Sequence, residues 1–403
     1  MNSRLQGLAR AFAPTPGRAF LHVLLLLGTL IGIVLGYHTA LHSSGDFQWS
    51  PSVLMWRHLN PFTAYMTGDR RILYSQAPNY SHLLYIILWP FTKLSWPQAK
   101  MAWALFNLTA LGYVYWGLGR YFTLPAKKYW WTIVCALACS GAEVKLALGN
   151  GQQVLLCLAA ITTLVLFESN HWIAGAALAV LMTKYSFGVF VALALVACGY
   201  LDTVAFAALI SVAAWLFVSW WIHSDPWQVL LAPLHVAERD VPISRFDLSS
   251  MVRQLAKAHP AALSLGLPAI GLLDLLAFGW LFSMRRLLWR NGRFILPIVG
   301  FGVMMSLGSV YHLDYDLLGV LIGFAAWLLI EPGAPSMLTR WGFVTLAMFY
   351  WMLPRLARFF PRTGNPFDMP WAICGFALVS IGAALLLLRQ TRRALLHQDT
   401  SAP

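Results

Sequence analysis

Long runs of apolar residues, separated by short polar segments, repeat along the whole chain. Several runs approach the roughly 20 residues that a helix needs to cross the hydrocarbon core of a bilayer. The runs are continuous rather than alternating, which argues against the strands of a transmembrane barrel. Backbone groups within lipid must be paired inside their own segment, and helices satisfy this condition. The pattern therefore predicts an all-α, polytopic membrane protein.

The basic residues indicate how these helices are oriented. They cluster at both ends of the chain and in the segment RRLLWRNGR (285–293), and such clusters favour the cytoplasmic side. The first apolar run resembles a signal peptide, but its length favours a retained helix. Two cytoplasmic termini require an even number of crossings, and we expect about twelve in one domain. The predicted regions of this domain, 1–403, are a cytoplasmic N-terminus at 1–18, outer loops at 42–80 and 223–260, and a cytoplasmic tail at 389–403.

Some apolar segments are too short or too interrupted to cross the membrane. SVLMWRHL (52–59) and FTAYM (62–66) are amphipathic, and they predict short interfacial helices in the first outer loop. Pro90 and Pro97 interrupt the next apolar stretch. Prolines break transmembrane helices where neighbouring groups satisfy the freed backbone, so we expect a broken passage here.

Composition agrees with the membrane interpretation and removes other classes of protein. Hydrophobic residues make up 59% of the chain and charged residues only 11%, whereas soluble domains carry about 25% charged residues. The formal charge of +13 lies mostly at the ends of apolar runs, without the basic stripe and interleaved aromatics of a nucleic-acid surface. The five cysteines all lie inside apolar runs, which argues against a zinc site or a disulfide framework.

The polar residues of the predicted outer segments are the candidates for chemistry. Asp46 follows the first helix, Arg245 and Arg253 lie in the second outer loop, and His312 and Asp314 lie in a third short segment. A carboxylate among cations suits a general base beside a pocket for an anion such as phosphate. The alternative is an ordinary solvated surface, in which Asp46 is a loop acid and the aspartates after His312 begin a helix.

Two further polar positions lie between apolar runs. Lys184 has no polar loop around it, and a lysine close to hydrocarbon is a functional candidate because its burial is costly. The alternative is a turn residue whose side chain extends to the interface. The segment LGNGQQ (148–153) places an amide-rich, glycine-containing turn in a similar position.

Short motifs follow one another along the chain in this order: GDF (45–47), NY (79–80) with the apolar run to Pro90, AWALFNL (102–108), GQQVLLCLAAITTLVL (151–166), IAGAALAVLMTK (173–184), SSMVRQL (249–255) and YHLDYDLL (311–318). In the order of these motifs the chain resembles glycosyltransferase family 87 of the GT-C superfamily. Two segments depart from the family's pattern. They are KYSFG (184–188), which lacks the proline common after the family's lysine, and QAPNYSHLLYI (76–86), which replaces a Tyr-Pro-Pro run.

This resemblance implies a GT-C-type helical bundle in a bacterial inner (plasma) membrane, with its active site on the periplasmic side. The implied enzyme moves a hexose, such as mannose, from a polyprenyl-phosphate donor to a hydroxyl of a glycolipid, glycan or other acceptor, with inversion. Asp46 would be the catalytic base, and Lys184, Arg253 and His312 would bind the donor phosphate. Further implied substrate contacts are Arg245, Gln152, Asp314 and Tyr80.

The implied chemistry needs no cofactor and no metal, because a phosphate leaving group already carries its charge well. Its partners are the lipid-linked donor, the acceptor and membrane lipid, without nucleic acid. Two other functions stay open from the residues alone. One is a transporter or flippase for lipid-linked sugars, although no internal repeat of the kind common in transporters is visible. The other is a structural membrane subunit without chemistry.

Overall fold

A computed structural model of the chain describes residues 16–240, 247–291, 295–331 and 370–400. Within these residues the regular elements are all helices, which confirms the predicted all-α membrane architecture. Arg245 and most of the predicted cytoplasmic N-terminus lie outside the described residues. The predicted tail at 389–403 continues the last helix as far as Thr400.

The first half of the chain forms ten helices and one short 3-10 turn, Leu73–Ser75, within the described residues. In chain order the helices are α1 (Pro16–His42), α2 (Trp49–Trp56), α3 (Pro61–Met66), α4 (His82–Ile87), α5 (Trp89–Thr92), α6 (Trp96–Gly119), α7 (Pro125–Ser140), α8 (Ala142–Gly149), α9 (Val154–Leu166) and α10 (His171–Leu181).

The second half adds nine helices and a second 3-10 helix, Asp314–Gly319, within the described residues. The helices are α11 (Tyr185–Ala197), α12 (Leu201–Trp221), α13 (Pro226–Asp240), α14 (Leu248–Ala258), α15 (Ala261–Ser283), α16 (Arg285–Asn291), α17 (Ile295–Ser309), α18 (Val320–Ile330) and α19 (Pro370–Thr400).

Fewer helices are long enough to cross a membrane than the apolar runs suggest. Among the described residues, three helices are long and apolar enough to cross a membrane: His22–His42 of α1, α12 and α15. The pair α7 and α8, bent by 59° at Gly141, could act together as a fourth. Most other apolar runs form helices of 10–17 residues, below the roughly 20 that a simple crossing needs. The predicted count of about twelve crossings therefore stays a prediction.

The two predicted outer loops contain helices. The first holds the short helices α2 and α3, as expected, and the second consists mostly of α13 and α14. The passage around Pro90 is broken as predicted, because Pro90 lies in the four-residue helix α5 and Pro97 is the second residue of the next helix, α6. In α6, Ser95 and Gln98 form a capping box, which satisfies backbone donors at the helix start.

The helical bundle has two opposite ends. α17 and α19 pack antiparallel, since Gly308 at the end of α17 lies against Ile381 of α19 whereas Gly300 lies against Leu387. His312 follows the C-terminal end of α17, and the later turns of α19 lie beside the N-terminal end of α17. These two parts of the chain therefore lie at opposite ends of the bundle. A large apolar cluster fills the bundle between them, with α9, α17 and α18 almost wholly buried.

Candidate active site

Asp46 lies in a short loop after α1 that is fixed by backbone hydrogen bonds. The N–H of Ser44 donates to the carbonyl of Gly149 at 2.9 Å, and the N–H of Asp46 donates to the carbonyl of Asn150 at 2.9 Å. The loop after the first helix is therefore held against the turn between α8 and α9. Two segments about a hundred residues apart in sequence form one rigid unit.

Gly151 allows this close approach. Its backbone has φ of +68°, and an added Cβ would lie 2.7 Å from Cβ of Phe47. Glycine adopts this left-handed conformation without steric cost. The carbonyl of Gly151 accepts a hydrogen bond from the indole of Trp103 at 2.8 Å, and the ring of Phe47 stacks on Trp103 at 5.1 Å between centroids. The turn is thus held by its backbone and by a buried aromatic pair.

The turn places two glutamine side chains beside Asp46. The amide of Gln152 donates a short hydrogen bond to the Asp46 carboxylate, whereas the amide of Gln153 donates to the Asp46 backbone carbonyl at 3.3 Å. Gln152 in turn accepts from the hydroxyl of Tyr80 at 3.3 Å. Both glutamines are fully buried, so a buried amide orients the Asp46 carboxylate.

The environment of Asp46 suits a base. Burial raises the pKa of the Asp46 carboxyl above 3.8, and this effect outweighs the Gln152 hydrogen bond and the charge of Lys184, which lower it. A raised pKa makes a carboxylate a better proton acceptor near neutral pH. The ring of Tyr80, whose hydroxyl donates to Gln152, lies 5.8 Å from the Lys184 ammonium, so the Asp46 loop and Lys184 belong to the same site.

Lys184, Asp316 and His312 form a buried charged group next to Asp46. The Lys184 ammonium lies 3.1 Å from the Asp316 carboxylate, and both side chains are almost fully buried, with 10% and 2% exposed. Asp316 also accepts from Nδ1 of His312 at 3.2 Å and from the N–H of Leu313 at 3.1 Å. The interpretation of Lys184 as a turn residue extending to the interface is therefore wrong.

Neighbouring side chains complete this group. Ser306 lies 2.8 Å from Nε2 of His312, so both ring nitrogens have partners. The Lys184 ammonium lies over the ring of Tyr315 at 5.2 Å and over Tyr80 at 5.8 Å, where aromatic faces attract a cation. Burial alone would raise the pKa of Asp316, but the nearby Lys184 and His312 outweigh it and lower that pKa. Asp316 is therefore held as an anion.

The structure brings together five of the eight residues that the sequence suggested. They are Asp46, Tyr80, Gln152, Lys184 and His312, which are linked by the contacts described above. Arg253 is exposed on α14 and none of these contacts includes it. Asp314 begins the second 3-10 helix, but its side chain, like Arg245, lies outside the described residues.

Sequence reasoning did not assign the central anion of the group. Asp314 was selected from the motif YHLDYD, whereas Asp316 is the residue that contacts both Lys184 and His312. The spacing of four between His312 and Asp316 indicates contact only within an α-helical turn, whereas here His312 precedes the 3-10 helix Asp314–Gly319.

The arrangement combines a base with a neighbouring lysine. Asp46 can accept a proton, while the Lys184 ammonium can neutralise negative charge that develops a short distance away. No group of three or more histidine, cysteine or acidic side chains is positioned to bind a metal within the part of the chain that the structure describes.

Comparison with known proteins gives one match. A family model described as Glycosyltransferase family 87 matches residues 80–310, more than half of the 403 residues. The match includes Tyr80, Gln152 and Lys184, and it ends just before His312. Neither a curated protein nor a solved structure matches the chain.

Proposed function

The chain belongs to glycosyltransferase family 87, and on this premise we propose that it transfers a hexose, such as mannose, from a polyprenyl phosphate to an acceptor hydroxyl. Family membership makes it a membrane glycosyltransferase, with a sugar donor and an acceptor. The proposal adds the lipid-linked donor, an acceptor such as a glycolipid or glycan, and inversion at the anomeric carbon. It also places the reaction at the outer face of a bacterial plasma membrane.

The proposed step begins with the acceptor hydroxyl at Asp46. The Asp46 carboxylate takes the hydroxyl proton as the oxygen attacks the anomeric carbon from the face opposite the phosphate. A new carbon–oxygen bond forms while the bond between the anomeric carbon and the phosphate oxygen breaks. The phosphate leaves with the electron pair, so the configuration inverts and polyprenyl phosphate is the second product.

Lys184 and His312 supply the charge that this leaving group needs. Lys184 lies 3.1 Å from Asp316 and over the ring of Tyr80, whose hydroxyl donates to the Gln152 side chain that holds Asp46. A cation in a site with little water stabilises developing negative charge strongly. In this proposal Asp316 keeps the Lys184 ammonium charged and in place. The donor phosphate then binds beside Lys184, as a second anion in addition to Asp316.

One observation carries the proposal above the others. A partly buried carboxylate with a raised pKa, held by a buried amide, lies close to a buried lysine. Solvated loop acids have none of these features, so the interpretation of Asp46 as an ordinary surface residue explains the site poorly. Arg253 and Arg245 are not needed for this step, and their contact with the donor stays a prediction.

The test uses purified protein with a radiolabelled polyprenyl-phosphate hexose and hydroxyl acceptors. We expect transfer by the natural chain and a loss of at least about a hundredfold in Asp46→Asn, the usual minimum for a general base. The matched control is Asp202→Asn, because Asp202 is an exposed acid at the start of α12. That variant should transfer at the natural rate.

Two results would overturn the proposal. Full transfer by a folded Asp46→Asn variant would remove Asp46 as the base. Movement of intact labelled donor across a proteoliposome membrane, without any sugar transfer to added acceptors, would instead favour the transporter or flippase interpretation.

A further inference from the structure

A recess lined by three arginines lies near the last helix. Its volume is about 480 Å³, and Arg389, Arg392 and Arg393 of α19 line it together with Trp280 of α15 and Leu396 of α19. The arginines occupy positions i, i+3 and i+4 of one helix, so they share one face. All three are exposed, and no ion pair to them is found among the described residues.

This recess is separate from the candidate active site. Gly308, near His312, lies against Ile381 of α19, whereas Gly300 lies against Leu387. Arg389 to Arg393 follow Leu387, so they lie near or beyond the start of α17. The 15 residues of α17 span about 22 Å at 1.5 Å per residue. The recess therefore lies at the opposite end of the bundle.

The depth of the recess in the membrane follows from α15. This helix is one of the candidate membrane spans, and it ends at Ser283, one turn beyond Trp280. Tryptophan is enriched where hydrocarbon meets the polar headgroups. Arg285 and Arg286 follow directly, as expected where a helix leaves the membrane. The recess thus lies at the level of lipid headgroups.

The lining determines which chemical group fits. Three guanidinium groups on one helical face repel one another unless an anion lies between them, and guanidinium binds phosphate oxygens with two parallel hydrogen bonds. Trp280 and Leu396 add apolar surface beside these charges. A free phosphate would use only the arginines, whereas a phospholipid would use the apolar wall as well.

We propose that this recess binds the phosphate headgroup of an anionic phospholipid at the end of the bundle opposite Asp46. The guanidinium groups of Arg389, Arg392 and Arg393 hold the phosphate, and Trp280 and Leu396 contact the glycerol and the upper acyl chain. Basic pockets between transmembrane helices bind acidic lipids in this manner. The site does not depend on the proposed transfer reaction.

The experiment is a lipid titration of the purified full chain, followed by native mass spectrometry. Phosphatidylglycerol is compared with phosphatidylcholine that has the same acyl chains. We expect tighter binding of phosphatidylglycerol, and a loss on the order of a hundredfold when Arg389, Arg392 and Arg393 are all replaced by Gln, since each basic residue near a lipid surface contributes several-fold. Replacement of all three by Lys should give an intermediate affinity, because charge is kept without bidentate geometry.

The control is Arg120→Gln. Arg120 is an exposed arginine at the end of α6 that also lies against a tryptophan, 5.0 Å from the Trp116 ring centroid, but it lines no part of this recess. It should keep the natural affinity. Equal binding of phosphatidylglycerol by the natural chain and the folded triple Gln variant would overturn the proposal. So would competition by millimolar inorganic phosphate that fully displaces the lipid, because the recess would then recognise phosphate alone.

Discussion

One neighbouring amide opposes the effect of burial on the ionisation of Asp46. Burial raises the pKa of Asp46, and the hydrogen bond from Gln152 lowers it. A base acts only when deprotonated, so transfer should fall as the pH drops through this raised pKa. Gln152→Leu removes the stabilising donor, so the pKa should rise further and the acidic limb of the rate profile should move to higher pH. The measurement is the pH dependence of kcat/KM.

Gln153→Leu is the matched control for this shift. Gln153 is equally buried, but its amide donates to the backbone carbonyl of Asp46 and not to the carboxylate. In Gln153→Leu, the acidic limb of the pH profile of kcat/KM should stay near that of the natural chain. An unchanged limb in Gln152→Leu, or an equal shift in both variants, would contradict the control of the Asp46 carboxylate by Gln152.

Variants of the buried pair Lys184 and Asp316 should have different effects on stability and on activity. Asp316→Asn leaves the Lys184 ammonium without its counter-ion, and loss of one partner of a buried pair costs about 3–5 kcal/mol of unfolding free energy. Adding Lys184→Met removes the stranded charge and should restore most of that stability. Transfer should stay low in the double variant, because no ammonium faces the donor phosphate. Thermal unfolding and transfer rates are measured on the same preparations.

An exposed ion pair serves as the comparison. Arg71 lies 2.6 Å from Asp69, and their side chains are 56% and 22% exposed. Water and salt screen the charges of exposed pairs, so Asp69→Asn should change stability little and transfer not at all. If Asp316→Asn behaves like Asp69→Asn, the buried pair does not hold the site.

Single residues of the site could be predicted where their chemistry is unusual for their place in the chain. An acid after the first helix and a lysine between two apolar runs are conspicuous, and both lie in the cluster. The choice between Asp314 and Asp316 depended on which one faces Lys184. That direction depends on the local 3-10 helix, which the sequence pattern does not specify.

The turn between α8 and α9 depends on one glycine. Gly151→Ala places a Cβ 2.7 Å from Cβ of Phe47, which is closer than van der Waals contact allows. It also forces alanine into a left-handed backbone, which costs roughly 1–2 kcal/mol for residues other than glycine. The turn should shift, so that Gln152 no longer meets Asp46 correctly. We expect lower thermal stability and at least about tenfold slower transfer, since small displacements of catalytic groups are costly.

Gly112→Ala is the control for this substitution. Gly112 lies inside α6 with no atom within 4 Å of an added Cβ, and alanine is favoured over glycine inside helices. This variant should be as stable as the natural chain or slightly more so. Natural activity in Gly151→Ala would show that the turn does not position the site.

The helices themselves were only partly predictable. Prolines marked the broken passage at α5 and the start of α6, and the amphipathic segments marked α2 and α3. Helix ends inside apolar runs gave no such signal. Gly141 separates α7 from α8 by a bend of 59°, although the apolar residues from Ile133 to Leu148 are interrupted only by Ser140, Gly141 and the charged Glu143 and Lys145. The hydrophobicity of a segment indicates that it is removed from water. Tertiary packing decides whether that segment forms one helix or two.

For the whole molecule, the sequence predicted the class of fold better than the number of crossings. Short apolar helices can be buried by protein as well as by lipid, and the pattern of apolar residues is the same in both cases. α9 and α17 are almost wholly enclosed by other helices. A count of apolar runs therefore exceeds the count of helices that are long enough to cross.

The two ends of the bundle should face opposite sides of the membrane. Arg70, in the loop after α3, lies in the segment that carries Asp46, whereas Leu396 lies beside the arginines of α19; both are exposed. The positive-inside tendency places the arginine end in the cytoplasm. In intact cells a membrane-impermeant thiol reagent should therefore label Arg70→Cys, while Leu396→Cys should react only after permeabilisation. Among the natural cysteines, Cys139, Cys157 and Cys198 are buried, and the unsubstituted chain corrects for any background. Labelling of Leu396→Cys in intact cells would reverse the orientation, and labelling of both variants there would contradict the opposite placement of the two ends.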